Sequence, residues 1–450
     1  MERAYVIIDP QHEYAIELIR IAKETHGLRP ICVYIDSRAE LYKRMHFPRL
    51  RSNEVAAHYF LDQMSVEQMA KHMRSRFDVV GMMPYFEQSL NPARELMQAL
   101  GWTWNEPAVI ARFRDKSALK DHLRKEHGHI PLGASWKVKS AADVFVPQLP
   151  ERFVIKPNDG FANRDVGFFH KADGRGKVEA YLREQSNAAY ILEEMLDGTE
   201  FAVNGQMDEQ GRASVVSVLE YERVPANGKP NVYHHTVHVP RTDARFGALV
   251  DYSCAVMNAS GLKRAPFHLE LMLTDKGPRL IEVGARFGGT RYVFMTNAVH
   301  DNIFNHFAMA AHYWLFDKPY RGHGPQWDFY DRVSYLHLDG IASKNERIYA
   351  LEGIEAIERL PEFDGWVVKP QIGGFVRRTV DLYSVPYSLH LKGFAGRKAL
   401  SEVSKRAESM LRFNVNVSKQ KRLWVDAQAS LEQLRMRARW LLSRVFKQGA

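Results

Sequence analysis

Two glutamates in the middle of the chain have the spacing of metal ligands on a β-hairpin. Residues 267–273 alternate apolar and polar side chains, which indicates a half-buried strand. Asp275-Lys276-Gly277 predicts a three-residue turn, and a hairpin centred on Lys276 places Glu270 opposite Glu282. Directly opposed carboxylates repel each other unless a cation lies between them. Hard oxygen ligands favour Mg²⁺ shared with phosphate groups, whereas two solvated glutamates are the alternative.

An arginine and two glycines follow the second glutamate. Arg286 carries a planar fork of donors that suits phosphate or carboxylate oxygens. Gly288 and Gly289 would let backbone N–H groups approach an anion closely, although a plain tight turn is the alternative for them. Together with the two acids, these residues predict an anion site suited to phosphate chemistry.

The first part of the chain alternates strands with helices. Short apolar runs at 5–9, 31–35 and 77–81 predict strands, and apolar residues at helical spacing between 15 and 22 predict a helix. This order favours an open parallel sheet over roughly the first 105 residues. No G-x-G-x-x-G follows the first strand and no G-x-x-x-x-G-K-[ST] occurs anywhere, so the two commonest nucleotide signatures are absent from the sequence.

The rest of the chain mixes helices with strands in a different order. We expect a helix from Asp115 to Gly128, a strand at 153–155 that ends at Pro157, and a strand from Tyr190 to Met195. The fold class expected is therefore α/β with α+β. The predicted domains are an N-terminal open parallel α/β domain at 1–108, a central domain of two α+β subdomains at 109–319, a C-terminal α+β domain at 320–417, and a basic amphipathic helix at 418–450.

With these motifs in place, the chain resembles the ATP-grasp enzymes from about Tyr5 to Arg412. In that family, paired acids on adjacent strands hold Mg²⁺, which Mn²⁺ can replace, and Glu270 and Glu282 occupy those places. The resemblance implies that Lys116, in Arg114-Asp-Lys116, and Lys156, in Val154-Ile-Lys156-Pro157, bind the phosphates of ATP. A solvated surface charge is the alternative for each lysine taken alone.

The resemblance also assigns a nucleotide hinge. The run from Ile191 to Glu200 is similar to the family's hinge strand. This implies that Glu193 and the backbone at Glu194, Met195 and Leu196 face adenine, and that Glu200 binds the ribose hydroxyls. The loop over the triphosphate departs from the family's Gly- and Ser-rich pattern: it keeps Gly160 and adds Arg164.

The pattern E-x-x-x-R from Glu282 to Arg286 is similar to that of the L-amino-acid ligases, whereas Gly284 stands where many members have a metal-binding Asn. The resemblance implies a carboxylate–amine ligase that works through an acyl phosphate and releases ADP, with Arg286 and Glu282 as catalytic groups. Ligation of a non-proteinogenic acid, or acylation of a carrier protein, is a second reading. A non-catalytic ATP-binding regulatory module is the alternative of another class.

Several histidines lie near these motifs. On a regular strand, His234 and His238 would share one face and His235 would point away. Hydrogen-bonded or solvated histidines are the simplest interpretation, substrate-pocket residues the second and a zinc site the third. His268, on the same face as Glu270, and His234 are the histidines expected on the substrate side.

The net charge of +9 is concentrated at one end. Residues 418–450 hold eight basic and two acidic side chains, so they carry +6 and the other 417 residues carry +3. Nucleic acid is therefore not expected as a partner, and an apolar stripe from Leu423 to Val445 predicts docking on the body or on a subunit of a homodimer. Two cysteines and the lack of a signal-like or membrane-spanning apolar run predict a cytoplasmic protein. The resemblance to the ATP-grasp enzymes implies small carboxylate and amine substrates.

Overall fold

The computed structural model describes residues 1–10, 13–36, 54–102, 104–158, 166–184, 189–289, 291–315, 322–415 and 417–431. Its N-terminal part is a parallel sheet whose described strands have the order β3-β2-β1-β4. The elements are β1 (Glu2–Ile8), α1 (Glu13–Ile21) with a π-helical turn (Ala22–His26), β2 (Arg29–Tyr34), β3 (Ala57–Phe60), α2 (Val66–Arg76), β4 (Phe77–Met83), a 3-10 turn (Glu87–Ser89), α3 (Leu90–Ala99) and α4 (Pro107–Arg114). The predicted open parallel sheet is confirmed, and β3 is a strand that the sequence pattern did not predict.

The central part begins with α5 (Lys116–Glu126) and a small antiparallel sheet of order β5-β8-β6-β7. Its elements are β5 (Ser135–Val138), a 3-10 turn (Ala141–Asp143), β6 (Arg152–Pro157), β7 (Gly167–His170), a 3-10 turn (Lys171–Asp173), α6 (Gly174–Glu184) and β8 (Tyr190–Glu194). Strand β6 ends at Pro157 as predicted, and Pro157 itself still pairs with Tyr190. The ladder continues through a bond from the Asn158 N–H to the Ala189 carbonyl (3.1 Å), which needs no donor from the proline.

A large sheet follows, whose described strands have the order β13-β12-β9-β10-β11-β14-β19-β17. The elements up to residue 315 are β9 (Thr199–Met207), β10 (Ala213–Ala226), β11 (Lys229–His238), α7 (Phe246–Ser260), β12 (Ala265–Thr274), β13 (Gly277–Gly284), α8 (Tyr292–Ala298) and α9 (His306–Leu315). Helix α7 ends at Gly261, which has a φ of +80° and forms a left-handed cap.

The same sheet runs into the C-terminal part, since β11 pairs with β14. The remaining elements are α10 (Trp327–Arg332), β14 (Ser334–Asp339), β15 (Glu346–Arg347), β16 (Leu351–Glu352), α11 (Ile354–Glu358), β17 (Phe363–Val368), β18 (Phe375–Val376), a 3-10 turn (Leu382–Ser384), β19 (Ser388–Gly393), α12 (Arg397–Met410) and β20 (Arg412–Phe413). The hydrogen-bonded sheet thus crosses the position 319/320 where we predicted a domain boundary.

The basic terminal helix is described over 419–431. Leu423 and Leu431, from the predicted docking face, are 63% and 54% exposed, whereas Val425 is 2% exposed. The prediction that this face docks on the body is wrong for Leu423 and Leu431, since the described part of the helix has its buried side on Val425, next to the contact of Arg347 Nε with Asp426 Oδ1 (3.1 Å). Docking on a second subunit stays a prediction. Residues 432–450 lie outside the described residues. None of the helices described here is both long enough and apolar enough to span a membrane.

Candidate functional site

The carboxylate hairpin has the predicted pair of glutamates, but its turn and its register differ from those predicted. Glu270 is paired with Glu282 across β12 and β13. The predicted three-residue turn is wrong: Thr274 pairs with Gly277 across a two-residue turn, and a register shift between Glu270 and Leu271 then restores the pairing. The bulge lies at Ile281, and it is a feature of sheet packing that the alternation of β12 does not reveal.

Both hairpin carboxylates lie close to cationic or hydrogen-bonding side chains. Glu282 Oε2 lies 3.6 Å from Lys116 Nζ, and Glu270 Oε1 accepts from the Tyr221 hydroxyl at 3.2 Å and contacts His268 Nε2 at 3.3 Å. Burial alone would raise the pKa of Glu270, but the hydrogen bond and charge of His268, with Arg223, lower it to about 2. An ionised glutamate opposite a second glutamate is a donor set that fits a hard divalent cation such as Mg²⁺.

We call the first of two cavities the hinge cleft; its cavity volume is about 140 Å³. Its lining includes Lys116, Lys120, Lys156, Glu193, Glu194, Met195, Leu196, Glu200, Arg223, Glu270 and Glu282. Every nucleotide residue predicted from the sequence, except Gly160, is therefore in this one cleft. Gly160 and Arg164 lie outside the described residues.

At the centre of the hinge cleft, Glu193 is held between two lysines. It pairs with Lys120 Nζ through one oxygen and with Lys156 Nζ (2.7 Å) through the other. Burial opposes ionisation of Glu193, yet the two lysines lower its pKa to about 2, while burial lowers the pKa of Lys120 to about 8. Lys120 was not predicted, although its position four residues after Lys116 on the same helix face was the signal that could have found it.

The other end of the hinge cleft is built around Glu200 on β9. Arg223 donates to Glu200 and to the Tyr233 hydroxyl (2.8 Å), and its guanidinium carbon lies 3.9 Å from the centre of the Tyr233 ring. Burial raises the pKa of Glu200, and the nearby carboxylate of Glu270 adds to that rise against the effect of Arg223. Arg223 was not predicted, because it comes from β10 and no local motif marks it.

We call the second cavity the arginine cavity; its cavity volume is about 580 Å³. Its lining comes from distant parts of the chain and includes Asp9, Tyr14, Glu87, His268, Glu270, Glu282, Arg286, Gly288, Gly289, Tyr292, Asp339, Val367, Val368, Leu382 and Val385. Glu270 and Glu282 line both cavities. The carboxylate pair therefore forms part of the wall between the hinge cleft and the arginine cavity.

Arg286 is fixed at the arginine cavity by an acid that sequence reasoning missed. Arg286 Nε donates to Glu87 Oε2 (2.8 Å), and Arg114 Nη1 donates to the other oxygen of Glu87 (2.7 Å). Glu87 follows the carboxyl end of the parallel strand β4, which is the place where open α/β sheets commonly bind ligands. Gly284 is needed here because a Cβ at that position would lie 3.1 Å from the Cγ of Arg286, so Arg286 fills the space above it.

The two predicted glycines differ from each other. A Cβ on Gly288 would lie 2.9 Å from His268 Nδ1, whereas a Cβ on Gly289 would meet nothing described within 4 Å. The Gly288 carbonyl accepts from the Tyr14 hydroxyl at 2.8 Å, which ties this loop to α1. Gly288 therefore lets the loop pack closely on His268, while Gly289 lies beside open space in the cavity.

His234 does not join the other predicted substrate residues. It lines neither described cavity, and its Nδ1 lies 3.1 Å from the Asp339 carbonyl oxygen. The predicted arrangement of the histidines is also wrong, because the rings of His234 and His235 stack at 4.1 Å instead of pointing to opposite faces. His238 is 3% exposed and packs on Tyr330, as a core histidine does.

Asp339, at the end of β14, is a further residue that the sequence did not predict. It is 1% exposed, and its Oδ1 contacts His337 Nε2 at 3.0 Å. Among the residues that the structure describes, no hydrogen-bond partner lies near its Oδ2. A buried carboxylate oxygen without a donor is costly unless a ligand supplies one, and Asp339 lines the arginine cavity.

Comparison with known proteins identifies the centre of this arrangement. Residues 149–293 match the ATP-grasp domain family. This chain contains an ATP-grasp domain. The match covers the hinge strand, both hairpin glutamates and Arg286, whereas Lys116 and Lys120 lie before it.

Two curated relatives of the ATP-grasp domain match parts of the chain. Dapdiamide A synthase from Enterobacter agglomerans is 35% identical over 142 residues, which cover 30% of this chain and 33% of that protein. Carnosine synthase 1 from Homo sapiens is 26% identical over 252 residues, which cover 51% of this chain and 30% of that protein. The chain thus spans about a third of the length of the curated relatives that it matches.

A solved structure extends the likeness beyond the ATP-grasp domain. The crystal structure of an L-amino acid ligase from Bacillus licheniformis matches with a TM-score of 0.70 and 17% identity, over 93% of this chain and 100% of that one. At this identity the likeness is one of fold, and it confirms the predicted α/β and α+β architecture around an ATP-grasp centre.

Proposed function

We propose that the protein is an ATP-dependent carboxylate–amine ligase that forms an amide bond and releases ADP and phosphate. The observation that carries this proposal is the shared wall: Glu270 and Glu282 line both the hinge cleft and the arginine cavity. A nucleotide in the first and a carboxylate in the second would meet at this pair. The likeness of the ATP-grasp domain to dapdiamide A synthase supports a ligase, and a dipeptide-like product is our preferred one.

ATP would occupy the hinge cleft, with Lys116 and Lys156 next to its phosphates and Glu200 next to its ribose. Glu193 and the backbone of Glu194, Met195 and Leu196 would face the adenine. Glu270 and Glu282 would hold Mg²⁺, or Mn²⁺ in its place. When bound, the metal neutralises charge on the phosphoryl oxygens.

The reaction would begin with the substrate carboxylate. One of its oxygens attacks the γ-phosphorus of ATP, the bond to the β–γ bridging oxygen breaks, and an acyl phosphate and ADP result. The ammonium group of the second substrate would first lose one proton to solvent. The amine nitrogen would then attack the acyl carbon, the bond to the phosphate oxygen would break, and the departing phosphate would take the second proton that the nitrogen gives up as the amide forms. Arg286, held by Glu87 at 2.8 Å, would stabilise the negative charge on the acyl oxygen.

The arginine cavity also suggests how the amine is recognised. Five acids line it (Asp9, Glu87, Glu270, Glu282 and Asp339) against one arginine, Arg286. A substrate that arrives as an ammonium ion would therefore be attracted to the cavity, and Asp339 Oδ2 offers it an acceptor. Apolar walls at Val367, Val368, Leu382 and Val385 would suit an uncharged side chain. We propose Asp339, with His268, as a residue of the substrate site.

Four further features of the protein are proposed together with this function. We propose the domain limits 1–108, 109–319, 320–417 and 418–450, a homodimer, a cytoplasmic location and no nucleic-acid partner. Ligation of a non-proteinogenic acid or of a carrier-bound acceptor is the second candidate function, and the large volume of the arginine cavity favours it.

The proposal is tested by measuring ADP release with pairs of proteinogenic amino acids, followed by a wider set of acids and amines. We expect ADP and an amide in equal amounts with at least one pair, and none with the variant Glu282→Gln. ATP binding without turnover on any acid and amine would favour the regulatory module and contradict the ligase.

A further inference from the structure

A β-bulge in β11 brings two consecutive histidines to the same side of the large sheet. Glu222 pairs with His235, whereas the next residue of β10, Arg223, pairs with Tyr233, so His234 is left without a partner on β10. Such an extra residue re-aims side chains locally. The rings of His234 and His235 consequently lie 4.1 Å apart, with an angle of 25° between their planes.

In each of the two rings, Nδ1 is held by a group that can only accept a hydrogen bond. His235 Nδ1 lies 2.8 Å from Glu222 Oε2, and His234 Nδ1 lies 3.1 Å from the Asp339 carbonyl oxygen. Arg397 donates to the other oxygen of Glu222, so this carboxylate is held in place as an acceptor. A neutral ring that donates from Nδ1 to such an acceptor keeps the lone pair of Nε2, which a metal can bind.

A third donor faces these lone pairs from α12. Glu408 Oε2 lies 3.8 Å from His234 Nε2. One donor atom from each of His234, His235 and Glu408 falls within 4.8 Å of the others. One helical turn before Glu408, the Ser404 hydroxyl oxygen lies 3.1 Å from His235 Nε2 and offers a fourth oxygen.

We propose that His234, His235 and Glu408 form a zinc site that links β11 to α12. Two imidazoles and a carboxylate are a donor set that Zn²⁺ accepts, and a histidine ligand characteristically donates its other nitrogen to a carboxylate or a backbone carbonyl, as both do here. Zinc bonds of about 2.0–2.1 Å require donor atoms about 3.3 Å apart in a tetrahedral site, so the donors must approach by at most about 1.5 Å. Glu408, with 29% of its side chain exposed, has the freedom to make that move.

The site would be independent of the ligase chemistry. His234, His235 and Glu408 line neither described cavity, in contrast to Glu270 and Glu282. Because β11 lies in the middle of the large sheet and α12 covers the C-terminal strands, a bound zinc would tie the two together. Zinc that binds only the folded chain raises its stability by mass action.

The test uses the full-length chain, stripped of metal with a chelator and then dialysed against Zn²⁺ in the presence of excess Mg²⁺. We expect one tightly bound zinc per chain by elemental analysis, a rise in Tm on adding zinc, and visible absorption bands of tetrahedral Co²⁺ when cobalt replaces zinc. The variants His234→Ala and Glu408→Gln should lose the cobalt bands and weaken zinc binding by about tenfold or more.

Matched controls separate this site from the other places where zinc could bind. His129→Ala removes an exposed histidine near His127, and Glu282→Gln alters the proposed magnesium pair; both should keep the zinc and the Tm shift. Zinc bound equally well by wild type, His234→Ala and Glu408→Gln would overturn the proposal, and so would the absence of zinc from a folded wild-type chain. Because the readouts are metal content and Tm, they stand whether or not the chain proves to be a ligase.

Discussion

The hinge cleft and the arginine cavity share a wall but are built in different ways. In the hinge cleft, the charges balance within a short stretch of structure: Lys120 and Lys156 hold Glu193, and Arg223 holds Glu200. In the arginine cavity, acids outnumber the one arginine, and Asp339 Oδ2 has no donor among the described residues. The acids Glu193 and Glu200 of the hinge cleft are ion-paired before any ligand arrives, and what the described residues leave unpaired there is a donor, Arg223 Nε. In the arginine cavity the unpaired group is an acceptor, Asp339 Oδ2.

This difference indicates which of the two cavities would determine the substrate specificity of the protein. In the proposed ligase, a nucleotide would bind at groups that already neutralise one another, so its site could be built from one hinge strand and nearby lysines. A substrate must satisfy what the arginine cavity leaves unpaired, so its chemistry can be inferred from Asp339 and from the excess of acids.

The largest expected effect is a loss of turnover when Glu282, in the wall shared by the two cavities, is changed. Because Glu282 lines both cavities, Glu282→Gln should reduce ligase turnover by about 10³-fold, which is about 4 kcal/mol of transition-state stabilisation. Steady-state ADP release measures it, with the exposed Glu126→Gln as a control that keeps full activity. A loss smaller than about tenfold would mean that the two cavities do not meet at this carboxylate.

A second prediction concerns the stability that the hinge cleft derives from its own charges. The pKa of Glu193 is lowered from 4.5 to about 2, so its contribution, about 3 kcal/mol, is present above pH 4.5 and is lost as the pH falls toward 2. Urea unfolding should therefore show Glu193→Gln to be less stable than wild type at pH 7, with a gap that narrows at pH 3. The exposed neighbour Glu194→Gln is the control, and a gap that stays constant with pH would contradict the ion-paired cleft.

Asp339→Asn probes the unpaired carboxylate of the arginine cavity. If Asp339 accepts the ammonium group, the variant should raise the KM for the amine by about tenfold to a hundredfold and leave the KM for ATP unchanged. Initial rates with each substrate varied in turn measure both constants. An equal rise in both KM values would mean that Asp339 supports the fold and not the amine site.

The smallest expected effect distinguishes the two glycines of the arginine cavity. Gly288→Ala places a Cβ 2.9 Å from His268 Nδ1 and 3.1 Å from Asn204 Oδ1, and should cost about 1–2 kcal/mol of unfolding free energy. Gly289→Ala meets nothing described within 4 Å and should change stability by less than about 0.5 kcal/mol. Urea unfolding of the two variants measures both changes in unfolding free energy. Equal losses of unfolding free energy would show that the loop does not pack on His268 as described.

The features that could be predicted from the sequence are those that depend on local patterns of residues. Periodicity was enough for the parallel N-terminal sheet and for the pairing of Glu270 with Glu282, because both depend on short runs of residues. It could not predict the bulges at Ile281 and His234, since a bulge depends on how two strands fit together. Glu87 was missed because its partners, Arg114 and Arg286, are far away in sequence, and Asp339 was missed because no local motif shows that it lines a cavity.

Isotope transfer is the most direct test of whether a carboxylate in the arginine cavity receives the γ-phosphate of ATP from the hinge cleft. The acid that supports ADP release is labelled with ¹⁸O in both carboxylate oxygens, and the phosphate formed is examined by mass spectrometry. An acyl phosphate requires that the phosphate gain one ¹⁸O for each amide made, with ADP as the other product. Unlabelled phosphate, or the formation of AMP instead of ADP, would contradict the transfer of the γ-phosphate to the substrate carboxylate.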